Sequence, residues 1–454
     1  MSTSFGNKGY LFIPTTMPKV LSIDIFSQSK IRITGNNLNL TNNDGYKTVQ
    51  LLSNGLLDTS FSGDGIESGT PTFYSKNSAT AINNNTEMLI IGREYTGDFE
   101  YKIIKVKNNG LADLNFGDSG IVVSPKDGVS DNPGFIDQIS DGSFIFSTKS
   151  GNKVSIKSLT SNGSKTATLH NNYLGLSSDF QSYCKTQSGN FLFGGTYSDN
   201  TTTRNLYHFL NADGSSLKLV YQDDNQKIGS QEMISIVYDE MNQIFIVLEN
   251  YYSSTSDARY HIKKFDASGT SLAKYTYREA DFGFPPTKTV SLGGFTYVLG
   301  VDLSFNLRIA KLDQNGQFDS SFGNNGIATI DIAEDITKIE RVTSDNSNSI
   351  FISSGNMSST NTVFVMKLNM SYTLGTDDFT AINSNLFIYP NPSKGIINFE
   401  EKVDKAVLFD INGKMLKNFK EVNNADISEF QNGVYLLTFT LNGKSTTKKI
   451  ILKK

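Results

Sequence analysis

At 454 residues the chain is longer than one hydrophobic core ordinarily serves, so several domains or a repeat array are expected. A net charge of -4 with 19% charged residues leaves no electrostatic footprint for nucleic acid or an anionic membrane, and the single cysteine, Cys184, excludes an intrachain disulfide. No apolar run approaches the roughly 18 residues of a membrane-spanning helix, and residues 2–9 are too polar for a signal peptide, so an exported form is expected to be a mature one with an added Met.

The chain opens on "SFGNKGYLFI", the second half of a phrase that returns complete as "NGLLDTSFSGDGIES", "NGLADLNFGDSGIVV" and "NGQFDSSFGNNGIATI". A turn ending in glycine recurs at Gly55, Gly110, Gly163, Gly214, Gly269 and Gly316, in steps of 55, 53, 51, 55 and 47 residues. Before each turn runs an alternating strand such as "YKIIKVKNNG" or "YHIKKFDASG", and a seventh copy, "TVFVMKLNMS", has the strand without the glycine. A second strand precedes each of these ("IRITGNN", "NFLFGGTYS", "FTYVLGVDL"), and a weaker one precedes that ("SIDIFSQS", "MISIVYDE", "TKIERVTSD"). Alternation with Asn, Asp and Gly turns predicts hairpins. With the "FGxxGI" strand added, each unit holds four.

Seven four-stranded units at a period near 50 predict an all-β, seven-bladed β-propeller over residues 1–375. A solenoid, the rival, needs capping ends and has no use for a split unit. The "GxxDxSFGxxGI" phrase, best matched at residues 58–66, 113–121 and 319–327, also resembles the delta-sixty β-propeller repeat family. Because unit seven lacks its last strand and the chain begins with a spare one, Phe5, Gly6, Gly9, Tyr10 and Phe12 are expected to complete that unit and close the ring.

Past a linker at residues 376–385, residues 386–454 alternate cleanly around Asn-Gly turns, which predicts a small antiparallel β-sandwich. The balance here is eleven Lys against seven Asp and Glu. Tyr389, Pro390, Asn391, Pro392 and Gly395, then Leu408, Asp410, Gly413 and Lys414, then Asp426, Ile427, Gly433, Val434 and Tyr435, followed by "KKIILKK", closely resemble the type A C-terminal sorting domain of the type IX (Por) secretion system. The resemblance implies a Gram-negative cargo protein that passes the periplasm and the outer-membrane translocon to the cell surface or medium. It also implies that a shuttle β-barrel protein receives residues 386–454, and that the domain is often cleaved on release or attachment.

Signals for chemistry are sparse. His208 and His261 lie on equivalent strands, six and eight residues before the turn glycine and so on one face, but no third metal ligand has recognisable spacing. Cys184 reads as a small buried hydrophobe. Asp64 and Asp118 suggest calcium loops, but Asn324 in the third copy favours turn capping, and Asp58, Asp113 and Asp319 are expected to cap the loop entering the outer strand. "DFGFPPTK" reads as a turn and not a phosphate cradle. Tyr251, Tyr252 and Tyr260 suit either a rim that contacts sugar or protein, or packing between blades. No catalytic residue, metal site or cofactor is expected. A secreted binding, adhesion or assembly module with a glycan or surface-protein ligand is the leading reading, and a polysaccharide hydrolase or lyase with its site in the propeller mouth is the alternative.

Overall fold

The computed structural model describes the chain apart from residues 1–4, 7–8, 27–28, 38–44, 70–73, 83–86, 96–98, 124–130, 172, 174–176, 199–202, 223–229, 253–257, 333–335, 356–361, 371–387, 411–414 and 442–443. It divides into two compact units, residues 1–372 and 373–454, so the expected linker at 376–385 lies outside the described residues.

The described residues of the first unit form seven four-stranded antiparallel sheets. Six are consecutive meanders, for example Val20–Phe26, Lys30–Asn37, Gly45–Leu51 and Ile66–Gly69, or Ser177–Lys185, Phe191–Ser198, Thr203–Leu210 and Ser216–Tyr221. The seventh joins Arg341–Ser344, Ser349–Ser354 and Thr362–Asn369 to Tyr10–Pro14, with Phe12 opposite Phe364. The first strands of successive sheets pack against one another, and that of the seventh packs on that of the first. This all-β arrangement resembles a β-propeller.

The hydrophobic cores lie between sheets, where facing apolar rows interdigitate. Phe5, Ile13, Met17, Val20 and Ile33 share one cluster with Phe351, Val363 and Val365, so residues near the start of the chain are fastened to residues far along it. Phe5 is fully buried, and the Gly6 amide donates to the Asn54 carbonyl.

Six of the seven first strands carry a register shift, at 20/22, 74/78, 133/136, 180/182, 233/235 and 286/288. Bulges bend a strand and re-aim its side chains. Opposite three of them the second strand places a glycine, as Gly35, Gly195 and Gly300. A Cβ at these positions would lie 2.3 Å from Lys19 O, 1.8 Å from Asp179 O and 2.2 Å from Pro285 O, so only glycine admits the bulged backbone.

The second unit is one five-stranded sheet: Ile388–Tyr389, Ile396–Phe409, Met415–Asp426, Gly433–Leu441 and Lys444–Leu452. The expected sandwich is therefore hydrogen-bonded as a single sheet. The long strand Ile396–Phe409 shifts register between 398 and 403, and Ile397 and Phe399 from its first part share a core with Leu408, Leu437, Phe439 and Ile450.

Candidate functional site

A cavity of about 490 Å³ opens among first strands, and its described lining residues come from six of the seven sheets. The bulges build its wall. After the shift in Val20–Phe26, Ser22 and Asp24 line it; after those in Asp131–Gln138 and Ser177–Lys185 come Asp137, then Ser182, Tyr183, Cys184 and Lys185. Lys288 and Thr289 are supplied by Pro286–Leu292, and Arg341 and Thr343 by Arg341–Ser344.

Hydrogen bonds between first strands fix this wall. Ile236 N donates to Ser182 Oγ at 3.0 Å, and Met233 N to Gln181 Oε1 at 2.8 Å. Thr289 N donates to Ser235 Oγ at 3.2 Å, and Val20 N to Glu340 Oε2 at 2.6 Å. The Arg341 guanidinium donates to the carbonyls of Leu21 and Glu340, which holds its plane against the first and seventh sheets.

Charge is unevenly distributed in the cavity. Asp137 is buried, and its Oδ1 lies 3.0 Å from Lys185 Nζ; burial pushes its carboxyl up, against the opposing pull of Lys185. Asp24 is pushed up to about 6, chiefly by burial and further by Asp137; the Ser22 hydroxyl and the charges of Arg32 and Arg341 temper this. Neither Asp24 Oδ2 nor Ser22 Oγ completes a hydrogen bond among the described residues. Burial and the neighbouring Arg341 bring Lys288 down to about 8.

The residues singled out in the sequence fall elsewhere, except Cys184. Its thiol lines the cavity, and burial pushes it up to about 12, which leaves it unreactive. His208 does not meet His261. Its ring stands 4.9 Å from that of His170, edge-on, between the Tyr173 and Ser216 hydroxyls, and burial brings it down to about 3. His261 stacks on Tyr251 and faces Glu249, which also accepts bonds from Lys263 at 2.6 Å and from Asn205 and Tyr207. Tyr260 is buried, so Tyr251 and Tyr260 pack within the fold; the side chain of Tyr252 lies outside the described residues.

Asp58 and Asp319 each accept the amide and hydroxyl of the serine two residues on, and Asp113 accepts the Asn115 amide. Lys105 and Lys311 reach Asp113 and Asp319 from the third strand. In the first unit that strand offers Gln50, and Lys30 reaches Asp58 at 2.7 Å instead. Asp64 caps the Ile66 amide at 2.8 Å. "DFGFPPTK" spans the end of the one-turn helix Glu279–Phe282 and the start of the next strand.

In the second unit, Asn391 acts as a strand residue in miniature. Its Nδ2 donates to Lys449 O at 2.6 Å and its Oδ1 accepts from Ile451 N at 2.8 Å, so the side chain covers the free edge of Lys444–Leu452. Pro390 and Pro392, both preceded by cis peptide bonds, flank it. Gly395, at φ 148, has its carbonyl on Ile427 N. Gly433 begins a strand, Val434 and Tyr389 are exposed, and the Tyr435 hydroxyl donates to Gln431 O. Asp410 is half-buried just past Phe409, whereas Gly413 and Lys414 lie outside the described residues.

Residues 387–453 match the family described as the secretion system C-terminal sorting domain. The match supports export as type IX cargo to the cell surface or extracellular space, and no described helix is long and apolar enough to cross a membrane. No curated protein matches the chain. Among solved structures, the polysaccharide lyase Uly1 is similar at 11% identity and TM-score 0.50, over 81% of this chain and 92% of that one. A fungal alcohol oxidase of the AA5 family in complex with copper (10% identity, TM-score 0.44, 98% and 100% covered) and the periplasmic gluconolactonase PpgL of Pseudomonas aeruginosa (10%, 0.44, 65% and 82%) also align. The likeness to the lyase is one of fold.

Proposed function

We propose that this chain is a secreted or surface-displayed cargo of the type IX secretion system. In this reading residues 1–375 are a seven-bladed propeller of the delta-sixty kind, closed by the strand Tyr10–Pro14, and serve as a binding, adhesion or assembly module. Residues 386–454 direct export through the outer-membrane translocon and meet its shuttle β-barrel protein. The observation that carries the export half is the sorting-domain match over residues 387–453. The cavity supports the binding half, since it lies within the size range of small-ligand sites, about 300–1,000 Å³, and holds polar groups that complete no hydrogen bond among the described residues. Deleting residues 386–454 in a host with this secretion system is expected to leave a folded propeller in the periplasm. Normal appearance of the truncated chain in the medium would overturn the export reading.

A second reading, a secreted enzyme acting on polysaccharide, is favoured by one feature. The Asp24 carboxyl, at about 6, suits proton transfer near neutral pH. Incubation with a panel of polysaccharides, followed by reducing-end and ultraviolet assays, separates the two: a binder releases no products.

A further inference from the structure

We propose that the cavity among the first strands binds a sugar bearing an anionic group, with the anion held by Lys288 and Arg341 and ring hydroxyls met by Asp24 and Ser22. This rests on the reading of the cavity as the ligand site, and adds the chemistry of what enters it.

Charge counting gives the sign. Lys185 is matched by Asp137 at 3.0 Å. Arg341 spends Nε and Nη1 on backbone carbonyls, which orient the guanidinium without neutralising it. Lys288 has no hydrogen-bond or ion-pair partner among the described residues, although it lines the cavity beside Arg341. Within the described lining only Asp24, whose carboxyl burial drives toward its neutral form, stands against these two cations. Glu340 and Glu232, whose charges also act on Lys288, lie outside the lining, and Glu340 is paired with Lys338 at 2.6 Å. The cavity is therefore cationic on the side of the sixth and seventh sheets, where a carboxylate or sulfate ester would find a point charge and a fixed guanidinium.

A bare anion would leave the rest of the site unused. Asp24 and Ser22 line the cavity, and among the described residues Asp24 Oδ2 and Ser22 Oγ complete no hydrogen bond, so a hydroxyl on the ligand can serve each as donor or acceptor. Tyr183, half-buried in the same wall and backed at 5.0 Å by the Phe135 ring, adds an aromatic surface against which a sugar ring can lie. An anion and hydroxyls on one small ring describe an acidic sugar.

The test is isothermal titration of the full chain with glucuronate, glucose 6-sulfate and glucose. At least one acidic sugar is expected to bind about 10-fold or more tightly than glucose, and its identity names the anion. The variant K288Q, which removes no internal bond among the described residues, should erase that difference. D24N should weaken acidic and neutral sugars alike. Equal affinity for glucose and both acidic sugars, or an unchanged preference in K288Q, would overturn the assignment of the anion while leaving the cavity as a sugar site. Absence of binding by all three would overturn the ligand-site reading as well.

Discussion

Glu249 is buried, accepts bonds from His261, Lys263, Asn205 and Tyr207, and does not line the cavity. Burial raises it, but bonds from His261, Lys263 and Tyr207 outweigh that and hold it at about 2. Its stabilisation is therefore complete above the ordinary 4.5 and is lost as pH falls toward 2. Replacing it with Ala removes the carboxylate that neutralises the buried Lys263 and is expected to cost about 3–5 kcal/mol in denaturant unfolding at neutral pH. Asp24 has the opposite sign. Its carboxyl is raised, so the native state loses stability as pH rises from 3.8 through about 6. D24N should thus stabilise the protein at pH 7 by about 1–3 kcal/mol while weakening ligand binding, a separation that thermal unfolding and titration of the same sample would show.

At the scale of strands, the repeat made most of the fold legible. The second and third strands of each unit alternate cleanly, and the "NG…D" turns repeat the same side-chain caps, with Asp58, Asp113 and Asp319 in one role. The bulges were not legible, because an extra residue shifts the alternation of an already weak strand by one and hides which face is which. Their signature was the glycine opposite, visible in "TGNN", "FGGTYS" and "VLGVDL" only once its partner is known. G195A forces a Cβ against the Asp179 carbonyl, and should cost about 1–3 kcal/mol in thermal or denaturant unfolding. The Asn391 side chain, by contrast, substitutes for a strand. N391A should lower the stability of the second unit by about 1 kcal/mol, and backbone exchange should rise at Ile451 in hydrogen–deuterium measurements.

For the whole molecule, two units imply two unfolding events. Residues 1–372 and 373–454 expressed separately should each give a cooperative transition near that seen in the full chain; a single shared transition lost on separation would contradict this. The candidate site escaped the sequence for a reason at this same scale. Asp24 and Arg341 are more than 300 positions apart, and what brings them to one cavity is the packing of the strand Arg341–Ser344 on Val20–Phe26, with no local motif to mark either. The same pairing of distant segments has a consequence in time. Tyr10 bonds opposite Met366, so in a chain made at roughly 5–20 residues per second its partner strand follows some tens of seconds later. Until then the seventh sheet has no fourth strand.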